Sequence, residues 1–314
     1  MWEYFESRYS ELIPEFNVFV TALDRQFPVG IRLNTLKDKN TLSKFVEKTV
    51  KPHCLEKVFD HYYFVHGERK YWGGQINHHL GFYFIQGLSS LLPVQLLDPR
   101  PGERVLDMCS APGGKSTHMA AQMMNSGVLV VNEPNVGRGR VLKANMDRMG
   151  IAIGVYTTQK GEELVLKNES FDRILLDGPC SSEGTFRKEF FTGSKRREVN
   201  YIKYNKQFRN ELHCIQKNLF EKAYALLKKG GTLVYSTCTY DPKENEAQVT
   251  KFLQRHPDCS IVDGFQDFKN LKLDKGVKHF EGEDFHPDIQ GTIRVYPHHL
   301  NTTGFYVAKI IKSH

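Results

Sequence analysis

Apolar positions recur along this chain with two periods. Leu12, Ile13, Phe16, Phe19, Val20 and Leu23 fall at helix spacing, which predicts a helical stretch within residues 1–30. Residues 31–36 read as a short strand, 42–50 as a helix and 62–65 as a second strand. Together they predict a small α/β region that ends near the turn Tyr71-Trp72-Gly73-Gly74. A linking stretch, 81–90, leads through a helix to Asp98-Pro99-Arg100-Pro101-Gly102, a turn. From there apolar runs alternate with helical periods. Strands are predicted at 104–108, 128–131, 153–156, 173–176 and 232–235. Helices are predicted from 114, over 136–149, over 205–228 with Gly230-Gly231 as the stop, and over 243–256. Two last strand-like runs, 292–296 and 304–311, are joined by a short connection and most simply pair antiparallel. Residues 263–290 are irregular and polar and receive no element. Such alternation predicts a mostly parallel sheet with helices on both faces. The fold class is α/β, with a small N-terminal domain (1–75) and a larger second domain (76–314).

One segment of that pattern is chemically unusual. Residues 105–117, VLDMCSAPGGKST, are a buried strand running into a glycine turn and a helix, an arrangement that holds a small ligand on backbone amides. A phosphate-binding Walker loop needs a glycine five positions before Gly114, where Cys109 stands. The dinucleotide fingerprint needs three spaced glycines, and only Gly113 and Gly114 are present. A loop for S-adenosylmethionine follows the first strand of a Rossmann-like sheet without a pyrophosphate to cradle. Glu133, 20 residues past Gly113 at the end of the run Val128-Leu129-Val130-Val131, has the spacing of a ribose-binding acid. On pattern alone, this ligand and a purely structural turn remain open.

Composition excludes several classes. The chain has 314 residues, 40% of them hydrophobic and 25% charged, as in an ordinary soluble protein. Its first residues carry acids and no long apolar run, unlike a signal peptide, and no stretch approaches a membrane span. Six scattered cysteines without a C-x-x-C pair argue against a zinc site or a disulfide scaffold and for a reducing, cytoplasmic setting. The net charge of +7 is local. Residues 186–209 hold eight Lys or Arg against two acids, interleaved with Phe186, Phe190, Phe191, Tyr201, Tyr204 and Phe208. Cations and rings so mixed suit phosphates and stacked bases of single-stranded nucleic acid, although a solvated loop with an amphipathic helix has the same composition. Arg187, Lys188, Arg196 and Arg197 are the candidate RNA contacts.

Two further strands run into turns that carry a cysteine: Leu175-Leu176-Asp177-Gly178-Pro179-Cys180 and Tyr235-Ser236-Thr237-Cys238. Ligands of such sheets sit at the carboxyl ends of the strands. Chemistry has a use for a thiol there. Carbon 5 of cytosine is a poor nucleophile, and a thiolate added to carbon 6 turns the ring into an enamine-like species that attacks an activated methyl group. A free thiol ionises near pH 8.5, about the reference value, so the nucleophile needs an electropositive neighbourhood. After transfer the carbon 5 proton must leave and the protein–base bond must break, which a second cysteine can assist.

At these residues the chain resembles the S-adenosylmethionine-dependent RNA (cytosine-5) methyltransferases of the Sun family. The matching segments are 31–37 (IRLNTLK), 106–115 (LDMCSAPGGK), 176–184 (LDGPCSSEG), 235–239 (YSTCT) and 294–299 (RVYPHH) followed by 304–308 (GFYVA). The resemblance implies a class I methyltransferase sheet behind a small RNA-recognition-like domain, acting as a monomer. It implies that Cys238 is the nucleophile, that Cys180 assists product release, that Asp177 contacts the cytosine, and that Lys115 lies by the reacting groups. Cys109, Ser110, Ala111, Pro112, Gly113, Gly114, Lys115, Glu133, Arg138, Thr158 and Asp177 would bind S-adenosylmethionine. The family usually places an aspartate after the third strand against the adenine, and this chain has Tyr156-Thr157-Thr158-Gln159-Lys160 instead. Ser110 replaces a commoner alanine.

The histidine pairs His78-His79 and His298-His299 have the composition of metal ligands, but no carboxylate pattern accompanies them and this chemistry needs no metal, so none is expected. The expected substrate is structured RNA, tRNA ahead of rRNA. Three rivals remain: a DNA cytosine-5 methyltransferase, whose nucleophile would be Cys180; a non-catalytic RNA-binding assembly factor on the same fold; and a Rossmann-fold oxidoreductase, disfavoured by the absent glycines.

Overall fold

A computed structural model of the chain describes residues 2–185 and 206–313. Arg187, Lys188, Arg196 and Arg197 lie outside the described residues.

The N-terminal helical stretch forms as two helices, α1 (Trp2–Tyr9) and α2 (Phe16–Leu23), separated by a turn that contains Pro14. Proline lacks the amide that would carry a helix through that point. β1 (Val29–Leu33), β2 (Cys54–Phe59), β3 (Tyr62–Val65) and β4 (Tyr83–Ile85) form an antiparallel sheet in the order β2-β3-β1-β4. α3 (Lys39–Phe45) is capped by Asp38, whose carboxylate accepts the Thr41 amide at 2.9 Å.

The expected division after residue 75 cuts this arrangement in two places. β4 lies beyond it yet completes the small sheet, because its apolar side chains Tyr83 and Ile85 fill the core with Ile31, Leu33, Tyr63 and Trp72. The helices α1 and α2 lie before it yet pack on the large domain, where Phe5, Tyr9, Ile13 and Phe19 cluster with Tyr240 and Tyr296.

After α4 (Arg69–Gly73), α5 (Ile76–His79) and α6 (Leu92–Leu97), the second domain alternates as the pattern predicts. β5 (Arg104–Asp107), α7 (Gly114–Gln122), β6 (Val128–Asn132), α8 (Val136–Arg148), β7 (Gly154–Thr157), β8 (Phe171–Asp177), α9 (Lys206–Leu226), β9 (Leu227–Thr237) and α10 (Glu246–Arg255) follow one another. β9, β8, β5, β6 and β7 run parallel, in that order. Their residues alternate between two cores. Val105, Leu129, Leu175 and Val234 face α6, α7 and α8, while Leu106, Val130, Ile174 and Leu233 face α9 and α10. A strand buried on both faces is apolar throughout, which is why these segments read as continuous runs rather than alternations.

β9 starts at Leu227, directly after the helix, and the Lys228-Lys229-Gly230-Gly231 turn is a bulge inside it, with Gly230 at φ 74°. β10 (Cys259–Val262) was not visible in the sequence pattern. It pairs with the far half of β15 (Phe305–Lys312), and β14 (Ile293–Val295) pairs with the near half. β15 runs antiparallel to β9 and so reverses the sheet at this edge. The unplaced 263–290 stretch carries three two-residue strands, β11 (Asp274–Lys275), β12 (His279–Phe280) and β13 (Glu283–Asp284), and is anchored by buried Phe268, Phe280, Phe285 and Ile289. Among the described residues no helix is long and apolar enough to cross a membrane.

Candidate active site

β5 has β6 on one side and β8 on the other, so the chain winds away from it in both directions. The crevice above the carboxyl ends at such a switch point is where α/β sheets bind ligands. β5 ends on Asp107, β8 on Asp177 and β9 on Thr237, one residue before Cys238.

The glycine turn is pinned from several directions. Ser110 Oγ donates to the Asp107 carbonyl at 2.9 Å and accepts the Asn132 amide at 2.9 Å. Arg138 donates to the Ala111 carbonyl at 3.0 Å and Asn145 to the Pro112 carbonyl at 2.9 Å, both from α8. Gly113 adopts φ 102°, a conformation that other residues rarely take, and α7 starts at the next residue.

Beside the turn lies a cleft of about 190 Å³. Asp107, Cys109, Ser110, Ala111, Pro112, Gly114, Lys115 and Asp177 line one wall, and Phe84, Ile85 and Gln86 from the small sheet line the other. The segment 31–37 holds these walls together. Arg32 is buried and donates to Gln86 Oε1 at 2.9 Å and to Thr117 Oγ1 at 2.8 Å, while Asn34 donates to the Gly81 and Met149 carbonyls at 2.8 and 2.9 Å.

Asp177 is held on both carboxylate oxygens. Lys115 Nζ donates to Oδ2 at 2.7 Å, and Ser236 Oγ, its register partner on β9, donates to Oδ1 at 2.6 Å. The Lys115 ammonium also stands 5.3 Å from the centre of the Phe305 ring. Asp107 is 1% exposed, and its Oδ2 accepts from Ser116 at 2.7 Å. No hydrogen bond reaches its Oδ1 among the described residues. Burial, reinforced by the negative charge of Asp177, pushes the Asp107 carboxyl up to about 6.

The two strand-end cysteines meet. Cys180 Sγ and Cys238 Sγ are 3.3 Å apart, both as free thiols, and Ser182 Oγ stands 3.5 Å from Cys238 Sγ. Their environments separate them. The Cys180 thiol facing Cys238, with smaller help from Ser182 and the Lys115 charge, lowers the Cys238 thiol below its ordinary value despite burial. The same contact, together with burial, raises Cys180.

A buried polar network fixes the two cysteine loops. The Ser181 amide and the Gln216 side chain both donate to Glu244 Oε2 at 3.0 Å. Ser181 Oγ and Thr239 Oγ1 are 2.7 Å apart, and Thr239 donates to Glu183 Oε2 at 3.3 Å. Tyr9 from α1 donates to the same oxygen at 2.5 Å, and burial with Asp241 nearby pushes Glu183 up to about 8. The Gly184 amide donates to the Cys238 carbonyl at 2.8 Å.

Of the remaining candidates, Glu133 is buried at the end of β6, accepting the Asn135 amide at 3.0 Å and facing Arg138 at 3.3 Å. Thr158 is exposed beyond β7. Neither they nor Arg138 line the cleft. Cys109 does line it, its thiol raised by burial. Sequence reasoning missed Asp107, Ser182, Ser236, Glu183, Glu244 and the Phe84–Gln86 wall. Asp107 had a signal, a lone acid closing an apolar strand; the others are ordinary polar residues until the chain folds.

Known proteins resemble this chain in sequence and fold. The family model for 16S rRNA methyltransferase RsmB/F matches residues 94–311. A tRNA (cytosine(49)-C(5))-methyltransferase of Pyrococcus abyssi is 34% identical over 97% of this chain and 94% of its own length. The 26S rRNA (cytosine-C(5))-methyltransferase nsun-1 of Caenorhabditis elegans is 38% identical over 99% of this chain, which spans 46% of that relative's length. A solved methyltransferase homologue from Pyrococcus horikoshii superposes with a TM-score of 0.80 at 29% identity, covering 98% of this chain and 94% of that one. The chain belongs to the RsmB/F, or Sun, family of RNA (cytosine-5) methyltransferases.

Proposed function

We propose that this chain methylates carbon 5 of a cytidine in structured RNA through a covalent bond from Cys238 to carbon 6. The observation that carries the reading is the pair of thiols 3.3 Å apart at the strand ends, with only Cys238 lowered. The Cys238 thiolate adds to carbon 6, and the electron pair of the 5,6 double bond moves to carbon 5. Asp177 stands at the end of β8 and Lys115 reaches it from the first turn of α7, so their polar atoms are available to the ring nitrogen and exocyclic amine of the base. S-adenosylmethionine, when bound, supplies the methyl group that carbon 5 receives. Transfer of the carbon 5 proton to a water molecule then restores the double bond, its electron pair expelling the Cys238 thiolate from carbon 6. The Cys180 thiol, 3.3 Å from that sulfur, would donate its S–H to it as a leaving group.

The cleft suits the methionyl end of that cofactor. Asp107 Oδ1 is a buried acceptor with no protein donor among the described residues, and with Asp177 it offers negative charge to an ammonium and a sulfonium. Ser110, Gly113 and Gly114 would hold it at the start of α7, and Glu133 would meet the ribose with Arg138 and Thr158 beyond it. Arg187, Lys188, Arg196 and Arg197 would grip the RNA, and neutralising them should weaken binding and flatten its salt dependence.

A tRNA is the favoured substrate. A relative named for tRNA is 34% identical to this chain over 97% of it. In the test, each cysteine variant is incubated with RNA and S-adenosylmethionine, and protein–RNA adducts are resolved by denaturing electrophoresis. Cys180→Ala should accumulate an adduct, and Cys238→Ala should form none. The reverse pattern would make Cys180 the nucleophile and refute the assignment.

A further inference from the structure

The turn between α1 and α2 meets the loop after β14. There the structure supplies the carboxylate that the His298-His299 pair lacks in sequence. One carboxylate oxygen of Glu15 and one ring nitrogen of each histidine all lie within 4.8 Å of one another. His299 Nδ1 is 2.6 Å from Asp274 Oδ2, and neither ring nitrogen of His298 has a hydrogen-bond partner among the described residues. The His299 side chain is 4% exposed, and its Nε2 is buried with no hydrogen-bond partner among the described residues. A buried ring nitrogen without a partner is costly unless something binds it. The carboxylate on the opposite nitrogen fixes the tautomer that leaves Nε2 bare, the arrangement that surrounds metal-bound histidines.

We propose that Glu15, His298 and His299 form a binding site for a divalent transition-metal ion of the zinc class, with Asp274 as the group that orients His299. Two imidazoles and a carboxylate suit zinc, whereas calcium and magnesium call for all-oxygen shells. Zinc bonds of about 2.0–2.2 Å set tetrahedral ligand atoms ~3.4 Å apart, so the three groups close in by at most about 1.4 Å. Glu15 can make that movement. It is exposed, caps no amide of α2, and its other neighbour is an exposed Lys272 ammonium at 3.8 Å. The ion would tie the helical hairpin to the second domain. α1 carries Arg8 and Tyr9, which bond Asp241 and Glu183 behind the cysteine loops. The metal is a staple for the site rather than a reactant in it.

The test uses the full chain, stripped of metal with a chelator and titrated with zinc chloride. Bound zinc is counted by mass spectrometry after gel filtration, and thermal unfolding is followed with and without zinc. The wild type should retain one equivalent and melt higher with zinc. Asp274→Asn should weaken zinc binding by about 10–100-fold, and Glu15→Gln at least as much, with circular dichroism unchanged. His298→Ala/His299→Ala should lose the equivalent, whereas His78→Ala/His79→Ala should keep it. An equivalent retained in Glu15→Gln at wild-type affinity, or a wild-type melting temperature that zinc does not move, would overturn the proposal and leave a hydrogen-bonded histidine cluster. Glu15 is exposed, so its variant decides the matter even where the double histidine variant fails to fold.

Discussion

Removing the Cys180 thiol should make Cys238 harder to ionise. In the folded chain Cys238 is half-buried, which by itself opposes the thiolate, yet its thiol is lowered, with the Cys180 contact at 3.3 Å the largest cause. A hydrogen bond to a charged group contributes about 1.5–3 kcal/mol, and the weak S–H donor belongs at the low end. In Cys180→Ala the thiolate loses that donor while Ser182 and Lys115 remain, so Cys238 becomes harder to ionise and the thiolate equilibrium falls by about tenfold. The cavity left by the sulfur admits water and returns part of the loss. The assay is alkylation of Cys238 by iodoacetamide across a pH series, read on its own peptide by mass spectrometry. The midpoint should move to higher pH, and Ser182→Ala should move it the same way by less. A midpoint that stays put or falls would show that Cys180 does not donate to the thiolate, and the division of labour between the two cysteines would lose its physical basis.

Three other expectations follow from neighbouring contacts. Asp107 is held at about 6 against about 3.9 unfolded, so the folded chain keeps a proton that the unfolded chain loses, and cofactor-free stability falls as pH rises between those values, by about 3 kcal/mol. Asp107→Asn should flatten that dependence in urea titrations at pH 4.5 and 8 and weaken S-adenosylmethionine binding by calorimetry; an unchanged slope would mean the carboxyl is not protonated there. Arg294 and Glu246 form a buried two-bond pair at 2.6 Å each, and Arg294 also donates to the Tyr240 carbonyl at 2.9 Å. Glu246→Gln should cost about 3–5 kcal/mol in urea unfolding, and a loss under about 1 kcal/mol would refute the pairing argument. A Cβ on Gly184 would lie 2.4 Å from the Gly304 carbonyl and 2.9 Å from that of Cys238, so Gly184→Ala should displace the nucleophile's strand end and cut turnover at least tenfold; wild-type turnover would show the loops yield freely.

Much of the second domain was legible because its signal is local. Residues buried on both faces of a parallel sheet must be apolar throughout, and helices on that sheet must carry one apolar stripe, so the order β5 to β9 could be read without knowing what packs where. The glycine turn and the two Cys-bearing strand ends were legible for the same reason. Each needs particular residues at adjacent positions, whatever the rest of the chain does.

The tertiary structure decided everything that depends on distance in space between positions distant in sequence. The helices before β1 joined the second domain because Tyr240 and Tyr296 offered Phe5, Tyr9 and Phe19 an apolar surface that no local pattern announces. β4 joined the small sheet because β1 had a free edge for it. Lys115 and Asp177 lie 62 positions apart, the two cysteines 58, and Tyr9 and Glu183 174. Sequence determined that two thiols stand at strand ends. Only the parallel pairing of β8 with β9 put them in contact, 3.3 Å apart. A thiol's ionisation depends on the groups within a few ångströms, and those are set by folding, not by order along the chain.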